Sequence, residues 1–211
     1  MKNIIIVDDH PLVREGIKKV IQKTMDFQIS GEASDGNELM ALLRDELPDI
    51  VILDISMPGK SGLELLKDLK SYFPQLPALI LSIHSEKRMA LRAIKAGAWG
   101  YINKSEITEE LINALRKITL QKRRYINPEV AQQLATQIND DNHEHLYESL
   151  SDREFQTMLL IASGKNVSRI ADKLSLSAPT IYTYRRRIKE KTGLKTNVEI
   201  TRYVMENDLL E

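Results

Sequence analysis

Five short apolar runs punctuate the first 120 or so residues, at 3–7 (NIIIV), 27–33 (FQISGEA), 50–53 (IVIL), 78–81 (ALIL) and 100–102 (GYI). Between them, apolar residues recur at three- and four-residue spacing, which predicts helices over about 11–25, 35–47, 61–72, 86–96 and 107–120. The first, third and fourth runs are solidly apolar rather than alternating, the pattern of strands covered by helices on both faces. Strand and helix in regular alternation predict an open, doubly wound parallel sheet of five strands. Pro11 suits a first helical position, and Asp35 and Ser61 suit N-caps.

The pattern changes at about 126. From there to 149 the chain holds five acidic residues and no Lys or Arg. Asn127-Pro128 can cap and start a short helix through about Ile138, and the polar run NDDNHEH that follows reads as a flexible hinge. Its His143 and His145 raise the idea of a metal site, but a solvated linker accounts for them equally well. Beyond 150 the periodicity is helical throughout, with segments at about 152–163, 167–174, 178–191 and 197–206. The expected division is therefore 1–122, an α/β domain; 123–147, a linker with a short helix; and 148–211, an all-α four-helix domain.

Composition refines this picture in three places. The 211 residues include no cysteine, which removes disulfides, thiolate metal sites and thiol nucleophiles. The formal net charge is zero, yet the part after 150 has 11 Lys/Arg against 8 Asp/Glu, so a basic C-terminal domain stands behind an acidic tether. No apolar run approaches the roughly 20 residues that span a bilayer, and the opening MKNIIIVDD is no basic-then-apolar leader. A cytoplasmic protein with no membrane partner is expected.

In an open parallel sheet, ligands bind beyond the C-terminal strand ends, near the point where strand order reverses. Here Asp8 and Asp9 end the first strand, Asp54 the third, Ser82 follows the fourth and Lys104 the fifth. Three carboxylates, a hydroxyl and an ammonium suit phosphoryl handling. Clustered carboxylates repel unless a hard cation sits among them, and Mg²⁺ takes one or two carboxylates plus waters and phosphate oxygens. One acid can then attack phosphorus as a covalent nucleophile, while the ammonium and hydroxyl bind phosphoryl oxygens. Any one of these acids alone reads equally as a helix N-cap, and Lys104 alone as a solvated lysine. Four strand ends together favour the functional reading.

These residues carry a resemblance. VDDHPLVREGI (7–17), DIVILDISMPGKSGLELL (49–66), LSIH (81–84) and GAWGYINKS (97–105) resemble the CheY-like (flavodoxin-like) receiver domain of bacterial two-component response regulators, in the NarL/FixJ branch. The resemblance implies that Asp54 is the phosphoacceptor, taking phosphate from a sensor histidine kinase to form a 4-aspartylphosphate. It implies that Asp8, Asp9, Asp54 and the backbone carbonyl of Ser56 hold Mg²⁺ (or Mn²⁺). Lys104 would pair with the phosphate, and Ser82 and Tyr101 would be the switch residues. Ser82 stands where Thr is frequent but keeps the hydroxyl, and Ser105 stands where many receivers have Pro. Ser56 and His84 would flank the phosphoryl group.

In the C-terminal part, Ser151 and Glu154 fit a capping box opening a helix with Phe155, Met158, Leu159 and Ile161, and Gly164 ends it. Ile170, Ala171 and Leu174 pack the next helix, and SLSA leads into PTIYTYRRRIKEK. RRRIKEK alone would read as a solvated basic face. After a helix and a tight turn, it describes a helix-turn-helix whose second helix enters the major groove. The stretch 148–211 resembles the LuxR-type domain through Leu150, Arg153-Glu154, Gly164, Ile170-Ala171, Leu174, Ser177 and Thr180, with Tyr184 where members often carry His. By that analogy Tyr182, Thr183 and Arg186 face base edges, Thr180 stands at the helix start beside them, and Arg185, Arg187 and Lys189 meet phosphates with Lys165 or Lys173 assisting. The last helix offers Val198, Ile200, Thr201, Val204 and Met205, either as core or as the dimer face that the family uses.

The resemblance implies a transcription regulator controlled by phosphorylation, acting on double-stranded promoter DNA as a homodimer or by release of the recognition helix. Two other classes were weighed against it. A Mg²⁺-dependent phosphatase with an Asp nucleophile needs a second acid two residues on, where Ser56 stands, so no enzyme is expected. A phosphorylation-independent regulator, its receiver serving as an interaction module, has no need of Asp8, Asp9, Asp54 and Lys104 together.

Overall fold

The computed structural model describes residues 1–57, 60–82, 87–104, 107–128, 130–132, 146–207, 209 and 210. Expectations placed on Pro58-Gly59, His84, Ser105, His143, His145, the first residue of the helix expected from 86, and most of the helix expected through 138 lie outside the described residues. The chain divides into two compact units, Met1–Gln132 and Gln133–Glu211.

The first unit runs β1 (Lys2–Val7), α1 (Pro11–Ile21), β2 (Phe27–Ala33), α2 (Gly36–Asp45), β3 (Ile50–Asp54), α3 (Gly62–Tyr72), β4 (Ala78–Ser82), α4 (Lys87–Lys95), β5 (Gly100–Asn103) and α5 (Ile107–Thr119). All strand pairs are parallel, in the order β2-β1-β3-β4-β5. The order therefore reverses between β1 and β3. Every residue of β3 and β4 is buried. On one face Ile4, Ile6, Ile50, Ile52, Leu79, Leu81 and Ile102 pack with Ile17 and Ile21 of α1 and Leu111, Ala114, Leu115 and Ile118 of α5. The alternate positions, such as Ile5, Val51 and Leu53, point to the opposite face, where right-handed crossovers carry the intervening helices.

β2 is the edge strand next to β1, and its alternating burial shows it. A bulge skips Ser30, since Ile4 pairs with Ile29 and Ile5 with Gly31. At the far edge Tyr125 bridges to Gly100, its N–H donating to the Trp99 carbonyl at 2.7 Å. A Cβ on Gly100 would lie 3.0 Å from the Tyr125 carbonyl oxygen.

Helix starts follow the expected chemistry. Asp35 accepts hydrogen bonds from the N–H groups of Asn37 and Glu38, and Ser61 forms a full capping box with Glu64. Two helices end sooner than their periodicity suggests. α1 stops at Ile21, whose carbonyl accepts from the Thr24 hydroxyl at 3.1 Å. α2 stops at Asp45, ahead of Leu47-Pro48, where a proline disfavours helical geometry in the residue before it.

Among its described residues the second unit holds a 3₁₀ turn (Leu146–Ser149) and four helices, α6 (Asp152–Ala162), α7 (Val167–Leu174), α8 (Ala178–Thr192) and α9 (Asn197–Glu206). Each helix has a side-chain cap at its start, from Ser151, Asn166, Ser177 and Thr196. Phe155, Met158, Ile170, Leu174, Ile181, Ile188, Ile200 and Val204 are buried, and the rings of Tyr147 and Phe155 lie 5.7 Å apart. Ser175 turns the chain between α7 and α8 in the left-handed region (φ 53°), and Gly193 ends α8 at φ 73°. Among the described residues no helix is long and apolar enough to cross a membrane.

Lys191 near the end of α8 donates to Glu154 in the first turn of α6 at 2.6 Å. Burial pushes the Glu154 carboxyl up, but Lys191 and the Ser151 N–H outweigh it and hold the group below its ordinary value. Its contribution to stability is therefore present above the unfolded pKa of roughly 4.3 and lost as pH falls through the lower folded value. In urea titrations, the wild-type midpoint should fall with pH in that acid window more steeply than that of Glu154→Gln. Equal slopes would show that the pair contributes nothing.

Candidate functional site

The C-terminal ends of β1 and β3 adjoin where strand order reverses, with Val7 opposite Leu53. Asp8 and Asp9 leave the first strand there and Asp54 closes the second; Asp8 and Asp54 are each only 1% exposed. Lys104 follows β5, two strands away, and reaches back. Its Nζ lies 2.6 Å from Asp8 Oδ2 and 3.0 Å from Asp54 Oδ2. Neither Asp54 oxygen has a hydrogen-bond partner of good geometry among the described residues, and neither does the buried Ser56 hydroxyl.

Burial pushes the Asp54 carboxyl above its ordinary value. Lys104 pulls it down, and the Asp8 charge adds to the rise. Burial also opposes the Lys104 charge, but Asp54 and Asp8 more than offset it and hold the ammonium above its ordinary value. One ammonium cannot neutralise three carboxylates. Ligand atoms of Asp8, Asp9, His10 and Asp54 lie within 4.8 Å of one another, so the cluster could hold a metal ion. The unpartnered Asp54 oxygens fit that role: they are buried acceptors, and a hard divalent cation takes oxygen ligands.

Ser82 ends β4, is fully buried, and pairs with Asn103. Tyr101, two pairs earlier on β5 opposite Ile80, shares its face of the sheet and is half-buried. The structure thus brings Asp8, Asp9, Asp54 and Lys104 into one pocket, with Ser82 and Tyr101 on the adjoining strands. Ser56 is buried two residues beyond Asp54, with its N–H favouring the Asp54 charge.

Three residues around the pocket had no role assigned from sequence. A Cβ on Gly62 would lie 2.0 Å from the Asp54 carbonyl oxygen, so only glycine lets α3 start against the end of β3. Arg14 donates from Nη1 to the Asp8 carbonyl at 2.7 Å and from Nε to Glu32 at 3.1 Å, pinning the β1 end. The His10 imidazole lies against Asp8 and Asp9, with Nδ1 2.9 Å from Asp9 Oδ1. Gly62 and Arg14 stand inside the family-like motifs, but a contact to a distant backbone carbonyl leaves no local periodic signal.

In the second unit, α8 buries Ile181, Ile188 and Thr192. Tyr182 (58% exposed), Thr183, Arg186 and Arg187 lie on the opposite side. Arg185 and Lys189 are half-buried at the margins, and Lys165 and Lys173 are exposed outside α8. Two hydroxyls are engaged locally, Thr180 with Ser177 at 2.8 Å and Thr183 with the Pro179 carbonyl at 3.1 Å. Among the described residues Arg186 has a loose contact to Glu190, 3.8 Å. In α9 Ile200 and Val204 belong to the core, whereas Val198 and Met205 are 78% and 67% exposed.

Because the folded pKa of Asp54 stands above the unfolded value of roughly 3.9, its ionisation weakens the fold. The cost is absent below the unfolded value and grows as pH rises through the folded one. Without divalent cations, Asp54→Asn should melt several degrees above the wild type at pH 7 in calorimetry, with the gap closing toward pH 4. A lower midpoint at pH 7 would contradict this.

Residues 4–116 match the response regulator receiver domain, and residues 148–204 match the bacterial regulatory proteins of the luxR family. The response regulator GacA of Pseudomonas aeruginosa is 36% identical over 212 residues, spanning 100% of this chain and 99% of its own length. The response regulator UvrY of Escherichia coli is 35% identical over 210 residues, spanning 99% and 96%. Among solved structures, RcsB of Salmonella enterica serovar Typhimurium bound to promoter rprA, in the presence of phosphomimetic BeF₃⁻, has a TM-score of 0.63 at 28% identity over 97% of this chain and 98% of that one. An RcsB–DNA complex has a TM-score of 0.60 at 26% identity, over the same shares. With a doubly wound receiver carrying the acidic pocket and a helix-turn-helix unit behind it, this chain belongs to the NarL/FixJ family of two-component response regulators, transcription regulators with a receiver and a LuxR-type DNA-binding domain.

Proposed function

We propose that Asp54 accepts a phosphoryl group from a partner histidine kinase and that the resulting charge controls binding of promoter DNA by α8. The observation that carries this reading is the Lys104 ammonium shared between Asp8 and Asp54, while neither Asp54 oxygen has a hydrogen bond of good geometry among the described residues. An Asp54 oxygen attacks phosphorus, the bond to the kinase histidine nitrogen breaks, and that nitrogen leaves with the electron pair. Lys104, already within 3.0 Å of Asp54, pairs with a phosphoryl oxygen. Asp8, Asp9, Asp54 and the Ser56 carbonyl would hold Mg²⁺ (or Mn²⁺), which supplies positive charge to the phosphoryl oxygens.

The new group adds roughly −1.5 to −2 charges at the sheet edge. The Ser82 hydroxyl turns toward it and Tyr101, on the same face, follows inward, which remodels the surface of α4 and β5. The receiver, 1–122, would then act through the 123–147 linker on the DNA-binding domain, 148–211. Tyr182, Thr183 and Arg186 read base edges, with Thr180 beside them, and Arg185, Arg187, Lys189 and Lys165 meet phosphates. The exposed Val198 and Met205 of α9 provide the face for a homodimer, which would favour paired half-sites. A solved relative is described as two RcsB dimers bound to two parallel DNAs, which supports that assembly here. Such work belongs in the cytoplasm, with no membrane partner.

With acetyl phosphate and Mg²⁺, the wild type should take up label and Asp54→Asn none; labelling that persists in the variant sinks the assignment. In DNA-binding titrations across salt, Arg187→Ala should weaken all sequences alike and reduce the log–log salt slope by about 1. Arg186→Ala should instead relax discrimination at one base position, worth ~1–3 kcal/mol. Loss of specificity from Arg187→Ala alone would reverse the two roles.

A further inference from the structure

Phosphoryl transfer as described leaves His10 without a task. The residue occupies the N-cap position of α1, ahead of Pro11, yet its side chain makes no capping hydrogen bond. The ring turns to the pocket instead, with Nδ1 2.9 Å from Asp9 Oδ1 and 3.2 Å from Asp8 Oδ1. Packing does not force that pose, since the side chain is 61% exposed. Nor does the backbone depend on it, because the His10 N–H reaches Asp8 Oδ1 independently at 2.8 Å.

The donor set is thus three carboxylates and one imidazole, all within 4.8 Å of one another. At its buried end stands Asp54, 1% exposed, neither of whose oxygens has a hydrogen bond of good geometry among the described residues. We propose that His10 supplies a nitrogen ligand to the cation held by Asp8, Asp9 and Asp54, so that this pocket selects first-row transition cations such as Mn²⁺ over Mg²⁺. The inference rests on reading the pocket as a cation site and goes further, to which cations it prefers.

The chemistry is that of ligand softness. Mg²⁺ demands near-octahedral oxygen coordination and gives up its waters reluctantly. Imidazole nitrogen suits the later first-row metals most and Mn²⁺ least among them, whereas Mg²⁺ is held by oxygen ligands and its own waters, so an all-oxygen pocket would separate Mn²⁺ from Mg²⁺ only weakly. Ligation through Nδ1 needs the neutral ring with its proton on Nε2. The ring gives up its contacts with Asp8 and Asp9, whose oxygens then face the cation. Transition cations would accordingly compete for this receiver at concentrations where Mg²⁺ does not fill it.

The full-length protein can be titrated with Mn²⁺ by electron paramagnetic resonance, following loss of the free-ion signal, with Mg²⁺ affinity read by competition. His10→Gln should weaken Mn²⁺ by roughly tenfold or more while leaving Mg²⁺ within about twofold. Pulsed spectra of wild-type-bound Mn²⁺ should show imidazole nitrogen modulation that His10→Gln lacks. Absence of that modulation in the wild type, unchanged Mn²⁺ affinity in His10→Gln, or equal losses for both cations would overturn the proposal. Asp9→Asn separates this from the parent reading: it should weaken both cations, and wild-type affinity for both would mean that the pocket is no cation site.

Discussion

One lysine ammonium shared by two buried carboxylates organises the receiver. Lys104 lies 2.6 Å from Asp8 and 3.0 Å from Asp54, and both acids are withdrawn from solvent. Removing the ammonium from such a cluster would leave two buried carboxylates uncompensated, which costs far more than a surface ion pair contributes. Much else in the unit serves to hold that arrangement. The solid apolar runs of β3 and β4 fix the sheet, Gly62 admits α3 against the Asp54 peptide, and Arg14 holds the Asp8 carbonyl. The cluster is strongly acidic in balance, so under the proposed phosphorylation of Asp54 the ammonium would be redistributed rather than merely gain a neighbour.

The architecture was legible because most of its determinants are local. Unbroken apolar runs mark strands buried on both faces, and the N-caps at Asp35, Ser61 and Ser151 follow from side chains that reach only two or three residues. Strand ends collect residues distant in sequence at one edge, so Asp8, Asp9, Asp54, Ser82 and Lys104 could be grouped once a parallel sheet was expected. Helix ends were less legible: α1 and α2 stop short where a threonine hydroxyl and a coming proline override amphipathic spacing. Gly62, Arg14 and His10 escaped for a different reason. Gly62 and Arg14 matter through close approach to the backbone carbonyls of Asp54 and Asp8, and His10 through a ring turned onto its neighbours Asp8 and Asp9; hydrophobic periodicity encodes none of these poses.

In the DNA-binding unit, sequence separated core from surface only in part. Val198, Ile200, Thr201, Val204 and Met205 form one apolar group on paper. The fold sorts them, burying Ile200 and Val204 and exposing Val198 and Met205. In α8 the run of three arginines is likewise divided, with Arg186 and Arg187 outward and Arg185 at the margin. Lys191 contributes to that basic stretch by charge, but structurally it staples α8 to α6 through Glu154. A net charge of zero therefore conceals both a basic helix and the ion pair that fastens it.

The bridge between Tyr125 and Gly100 has a mechanical implication. The chain that leads on toward the output unit is moored on β5 at Tyr125, beyond the end of α5. That mooring is a backbone hydrogen bond to Trp99, two residues from Tyr101 and five from Lys104 on the same run of chain. A displacement of β5 would therefore move the tether's root directly, as a tiller moves with its post, without needing to pass through the length of α5. Glycine at 100 favours so close a hitch, because a Cβ there would crowd the Leu79 side chain at 2.9 Å and the Tyr125 carbonyl oxygen at 3.0 Å.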